Sequence, residues 1–159
     1  HTIEEAYARL EAIERMPAMQ PWLQVLASAA GSGCFGFLFG GGPYDAFVSL
    51  IAGGLAWVFV LLAGHWRLSK LLTNIAASAL VAVVCLLGAR MGPAFGGQID
   101  RMIIGAIVPL LPGVPFTNGI RDYINSDYLS GTIRLIDALL IAGCIAIGVG
   151  FVLKMYSYL

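Results

Sequence analysis

Charge is what this sequence has least of. Charged side chains make up 11% of its 159 residues, whereas a soluble domain carries about 25%. Nine basic residues balance nine acidic ones. No basic run and no basic stretch interleaved with aromatics occurs, which argues against a nucleic-acid partner. Histidine is scarcer still. Only His1 and His65 occur, and both fall outside the apolar stretches. The chain therefore has no HExxH metal pair and no Ser–His arrangement for acyl transfer, so an enzyme is not expected. The triplet at 40–42 is the nearest thing to a glycine-rich phosphate loop, and it lacks the lysine such a loop needs. Cys34, Cys85 and Cys144 stand far apart without CxxC spacing. They read as small buried hydrophobes, with neither a disulfide framework nor a metal site, and no cofactor is expected.

Apolar surface is what the sequence has in excess. Hydrophobic residues reach 59%, and the mean hydropathy is +0.86. One soluble domain of this length could not hide that much. The 20 glycines fit membrane helices, where small residues let backbones approach closely. The expected fold is all-α: a polytopic membrane protein of about five transmembrane helices, preceded by an amphipathic helix.

Residues 2–16 have helical spacing, with Ile3, Ala6, Tyr7, Leu10 and Ile13 or Glu14 on one face and Glu4, Glu5, Arg9, Glu11 and Arg15 on the other. Pro17 and Pro21 end this helix. The chain opens at His1 inside the helical pattern, which predicts further chain upstream. Residues 1–20 are read as a cytoplasmic helix and linker, and 21–159 as a five-helix transmembrane transport domain. A span needs about 20 apolar residues. The candidates are 22–39, 45–64, 71–90, 102–120 and 132–153. Placing the N-terminus inside puts Arg9, Arg15, Arg67, Lys70, Arg121 and Arg134 on the inner side. Arg90, Arg101 and Lys154 then lie outside, as the positive-inside rule prefers. Small residues repeat at helical spacing: Ser28, Ser32 and Gly36; Ser49 and Gly53; Ala142, Ala146 and Gly150.

The segment 109–137 carries the candidate chemistry. Pro109, Pro112 and Pro115, with Gly113 among them, should break the fourth helix, because each proline lacks an N–H and clashes with the preceding turn. Irregular backbone at membrane depth is tolerated where it lines a watery cavity, and broken helices build the solute sites of many secondary transporters. The alternative is a proline-terminated helix that leaves the membrane early. Asn118, Arg121 and Asp122 follow within one turn of each other. Together they offer an amide, a guanidinium for a carboxylate, and a carboxylate for an amine. Ser126 and Asp127 are expected to cap the next helix. Arg134 and Asp137 lie one turn apart, and Asp137 is the deepest carboxylate by position, a candidate proton carrier with Asp122. The alternatives here are that Arg121 and Arg134 are inner-side anchors and that Asp137 is the salt-bridge partner of Arg134. His65, with Trp66 and Arg67, is assigned to a loop, and Asp45 to the start of the second helix.

The stretch PLLPGVPFTNGIRDYINSDYLSGTIRLIDALLIAGCIAIGVG resembles the threonine/serine exporter family. The matching positions are Pro109, Pro112, Gly113, Asn118, Ile120, Arg121, Asp122, Asp127, Leu129, Ser130, Gly131 and Arg134. The segments IEEAYARLEAI and LFGGGPYDAFVSLIAG extend the resemblance over essentially the whole chain. It implies a proton-driven exporter of threonine and serine in the inner or plasma membrane, working as a homo-oligomer or with a homologous second subunit. Some two-component members handle succinate-like dicarboxylates, and that substrate stays open as an alternative, as does a non-transporting scaffold subunit. The expected partners are the lipid bilayer and a small-molecule solute.

Overall fold

The computed structural model of the chain describes residues 20–66, 68–91 and 97–158. The amphipathic segment 2–16 and Arg67 lie outside the described residues. Helix α1 spans Pro21–Leu38, α2 Pro43–His65, α3 Lys70–Met91 and α4 Ile99–Ile107. A 3-10 turn, Val108–Leu110, leads to α5, Gly113–Ile124, and α6, Tyr128–Ser157. No strand occurs among the described residues.

Three helices, α2, α3 and α6, are long and apolar enough to cross a membrane; α4 with its 3-10 turn and α5 make a fourth if the bent pair is one span. Each of the five expected stretches is thus a helix or a bent pair. Helix α1 is the marginal one. Its 18 residues reach about 27 Å, against a hydrocarbon core of about 30 Å.

Local rules explain the boundaries. Pro21 and Pro43 open α1 and α2 at positions whose N–H would have no helical partner anyway. Helix α1 closes with Gly40 in the left-handed region, at φ +83. The Gly40 N–H donates to the Phe37 carbonyl at 3.0 Å and the Gly41 N–H to the Gly36 carbonyl at 3.1 Å, the Schellman arrangement. His65, assigned to a loop, is instead the last residue of α2.

The core is built from small and branched residues on facing helices, among them Val48, Ala52, Ala77, Val81, Cys85, Met102, Ala106 and Ile145. Helix α4 sits at its centre, and its Met102 and Ala106 are fully buried. Large apolar side chains such as Trp22, Phe37, Leu72, Leu139 and Phe151 point outward, where lipid is their solvent. Helix contact therefore depends on close packing and interhelical hydrogen bonds. A Cβ on Gly105 would lie 2.5 Å from the Gly36 Cα, so α4 and α1 touch backbone to backbone. The hydroxyl of Ser28 donates to the Gly53 carbonyl at 3.1 Å, and that of Ser49 to the Met102 carbonyl at 2.9 Å. The small-residue faces read for α1 and α2 are therefore contact faces. The one read for α6 is not: Ala146 and Gly150 are exposed, and Ala138, Ile141, Ile145 and Gly148 face inward.

Helices α3 and α6 run parallel. Lys70 pairs with Asp137, Gly148 abuts Ser78, and Arg90 lies over the Tyr156 ring. Nine residues of α6 precede Asp137. They carry the start of α6 roughly 14 Å beyond the start of α3.

Candidate functional site

The fourth apolar stretch is broken as expected, and α5 leaves the line of α4 at 61°. The three prolines play different parts. Pro109 has no N–H to give the carbonyl of Gly105. Pro112 has none for Val108, whose carbonyl takes the Leu111 N–H at 3.1 Å instead. These two end α4. Pro115 breaks nothing, since it lies in the first turn of α5, where an N–H has no helical partner.

Beside the break is a cavity of about 410 Å³, lined by Pro109, Leu110, Pro112 and Pro115, by Trp57, Val60, Gly64 and Leu68, by Lys70, Thr73 and Asn74, and by Ile141. Its charged lining residue is Lys70. The ammonium lies 2.8 Å from Asp137 Oδ2, and both side chains are about half exposed. Lys70 is the first residue of α3, where a cation meets the positive end of the helix dipole. Asp137 offsets that disadvantage. Asn74 donates its amide to the Lys70 carbonyl at 2.8 Å, and the Thr73 hydroxyl donates to the Ser69 carbonyl at 3.1 Å.

The cavity therefore has two electrostatic sides. The first turns of α3 and α5 both border it, and helix N-termini favour anions. Gly64, near the end of α2, and Leu110, at the end of the 3-10 turn, border it as well. There the carbonyl ends of helices favour a cation.

The other expected site residues separate from this cavity. Gly113 lines a second, apolar groove of about 230 Å³ with Leu111, Phe116 and Ala138. Asn118, Arg121, Asp122 and Arg134 belong to the corner between α5 and α6. That corner is packed through Gly119, where a Cβ would lie 2.9 Å from Leu135, and Gly131, where one would lie 2.5 Å from the Tyr123 ring. The Tyr123 and Thr132 hydroxyls share a hydrogen bond of 2.6 Å. Arg134 pairs with Asp122 at 3.3 Å. The angle makes no hydrogen bond, and that buried carboxylate oxygen has no other partner among the described residues. Arg134 thus takes Asp122 and not Asp137. Arg121 is exposed and makes no ion pair or side-chain hydrogen bond among the described residues. Asp127 caps α6 by accepting the Ser130 N–H at 3.2 Å. Hydrogen bonding from Ser130, its side chain first and then this N–H, with a smaller contribution from Arg134, holds the carboxyl below its ordinary value. Ser126 does not cap; it takes the left-handed turn at φ +66.

Among the described residues Asp137 is not the most buried carboxylate. That is Asp45, 3% exposed, at the far end of α2. Two residues escaped the sequence reading, Lys70 as the cavity's cation and the second bonding partner of Asp45. Both depend on pairings across 67 and 53 positions, which leave no local signal.

A bundle of apolar helices outside and a broken, polar-lined helix within define a polytopic all-α membrane protein. The chain belongs to the threonine/serine exporter family, ThrE, whose profile matches residues 1–156. That family is one of transporters, not of enzymes. Neither curated proteins nor solved structures provide a match.

Proposed function

We propose that this chain exports small amino acids, threonine and serine, across the inner or plasma membrane, with its N-terminus cytoplasmic and proton re-entry driving export. The observation that carries this reading is the cavity at the helix break, bordered by Lys70 and two helix N-termini and by two helix carbonyl ends, with Asp137 paired to Lys70 outside the lining. A zwitterion satisfies both sides. Its carboxylate takes Lys70 and the N-termini of α3 and α5, and its ammonium takes the helix carbonyl ends. With the cavity empty, Lys70 and Asp137 neutralise each other, so neither state leaves a bare charge. Solute binding to Lys70 releases Asp137, which then carries the coupling proton. Asn118, Arg121 and the Asp122–Arg134 pair form the approach to the cavity from the same side, with Asp122 as a second proton acceptor. The chain works as a homo-oligomer or with a homologous second subunit. One cation in the lining favours a zwitterion over a dicarboxylate, which would call for two.

The test is counterflow of labelled threonine, serine and succinate in proteoliposomes, with the chain alone and with a homologous second subunit. Saturable threonine or serine flux, reduced at least about tenfold in Lys70→Ala and Asp137→Asn, is expected, the loss of one charge-assisted hydrogen bond. Flux of succinate alone would replace the amino-acid assignment. No flux from folded protein in either preparation would leave a scaffold role.

A further inference from the structure

Asp45 lies on α2 about 28 Å from the cavity residue Gly64, 19 residues along the helix. Its carboxylate is buried, and among the described residues it makes no ion pair. One oxygen accepts the Gly42 N–H at 2.9 Å, an ordinary bond back to the start of its own helix. The other accepts the Gln98 N–H at 3.0 Å. Helix capping explains the first bond and not the second, because Gln98 is the residue before α4. A second tie runs alongside, the Arg101 guanidinium of α4 donating to the carbonyl of Gly40. Both bonds fasten the start of α4 to the turn between α1 and α2. Below them α4 meets α1 through the smooth Gly36–Gly105 contact, and it ends in the proline break. The element that closes this end is thus a nine-residue helix that ends in the break at 108–112, held at its start by these two ties and further along by the Ser49 hydroxyl on the Met102 carbonyl.

We propose that Asp45 is the latch of the gate on the membrane face opposite the cavity. The carboxylate holds α4 against the α1–α2 turn while the solute is reached from the Lys70 side, and it lets go when the solute leaves on the other side. Asp45 is a positioning residue: it acts through α4 and touches no solute. The inference rests on the transport reading only for what passes the gate; that the latch closes one face is tested separately.

Cys85 is a native reporter. It is fully buried and sits one turn below Gly88, whose carbonyl accepts the Tyr44 hydroxyl at 2.7 Å. The experiment uses the full chain with Cys34→Ala and Cys144→Ala, in right-side-out and inside-out vesicles, labelled by a membrane-impermeant maleimide. A Lys70→Cys variant marks the cavity face. Asparagine at position 45 can accept one N–H but turns its own NH2 toward the other. Asp45→Asn should therefore speed labelling of Cys85 about tenfold or more, the effect of one charge-assisted hydrogen bond. The increase should come only from the face opposite the Lys70 marker. Arg101→Met, which cuts the second tie and spares Asp45, should give a smaller rise from the same face, and it decides the matter if the Asp45 variant does not fold. Unchanged labelling in a folded variant, or an equal rise from both faces, overturns the latch. One-faced labelling with no counterflow in any variant removes the transport reading and leaves the latch standing.

Discussion

Substituting Gly105 by alanine tests the packing on which the central helix depends. A Cβ at this position would lie 2.5 Å from the Gly36 Cα, 2.6 Å from its N and 3.0 Å from Ser49 Oγ. Carbon contacts settle at about 3.5–4.0 Å, so α4 must retreat from α1 by roughly 1 Å. Overpacking of this kind costs about 1–3 kcal/mol. The retreat also stretches the 2.9 Å bond from Ser49 to the Met102 carbonyl, and an interhelical bond in lipid is worth about 0.6 kcal/mol. Alanine returns about 1 kcal/mol of helix propensity. The net expectation is a loss of about 0.5–2.5 kcal/mol. Gly143 supplies the matched control, since a Cβ there meets nothing within 4 Å. Its alanine variant should be neutral or gain up to about 1 kcal/mol. Reversible unfolding in mixed micelles, followed by circular dichroism, reads both. Equal stabilities within about 0.5 kcal/mol, well under the smallest overpacking cost, would refute backbone contact between α1 and α4.

Arg121→Ala should raise the KM for threonine counterflow and leave kcat near wild type, because the side chain lies outside the cavity; a collapse of kcat would move it into the site. Ser126→Gly should stabilise the chain by about 0.5–1 kcal/mol in the same unfolding assay, because it relieves a left-handed conformation that side chains resist. Asp127→Ala should weaken the start of α6 at neutral pH. The folded carboxyl lies below its ordinary value, so its contribution is complete above that value and is lost as pH falls through the depressed one. Variant and wild type should therefore converge in acid, and a gap that persists there would assign the effect to something other than the charge.

The sequence made the helices legible because hydropathy and proline are local signals. Residues 45–64 and 71–90 lie within α2 and α3 as observed, and Pro109 with Pro112 marked the break. Pro115 was misread because its effect depends on where the next helix starts, which is decided by the turn at Leu111 and Pro112. The partner of Arg134 was missed for a related reason. Spacing offered Asp137, one turn away, but the tight turn through Ser126 folds α5 back and delivers Asp122. The small residues of α6 were assigned to the wrong face because a stripe shows only that contact is possible; the partner helix chooses Ala138, Ile141, Ile145 and Gly148. Lys70 was counted only among the inner-side charges, and only the parallel run of α3 and α6 brings it to Asp137.

The shortness of α4 has an electrical consequence. Between the Asp45 end and the cavity lie nine residues of helix, about 14 Å, less than half of the roughly 30 Å hydrocarbon core. A cavity that admits water carries the bulk potential of its own side as far as Pro109. The membrane voltage then falls across this thin septum and not across the full bilayer. An ion or proton crossing α4 alone experiences nearly the whole drop, about 2.3 kcal/mol per elementary charge at 100 mV. On the transport reading proposed above, the step at which α4 is passed is the voltage-sensitive one, and solute binding at Lys70 is almost insensitive to the potential.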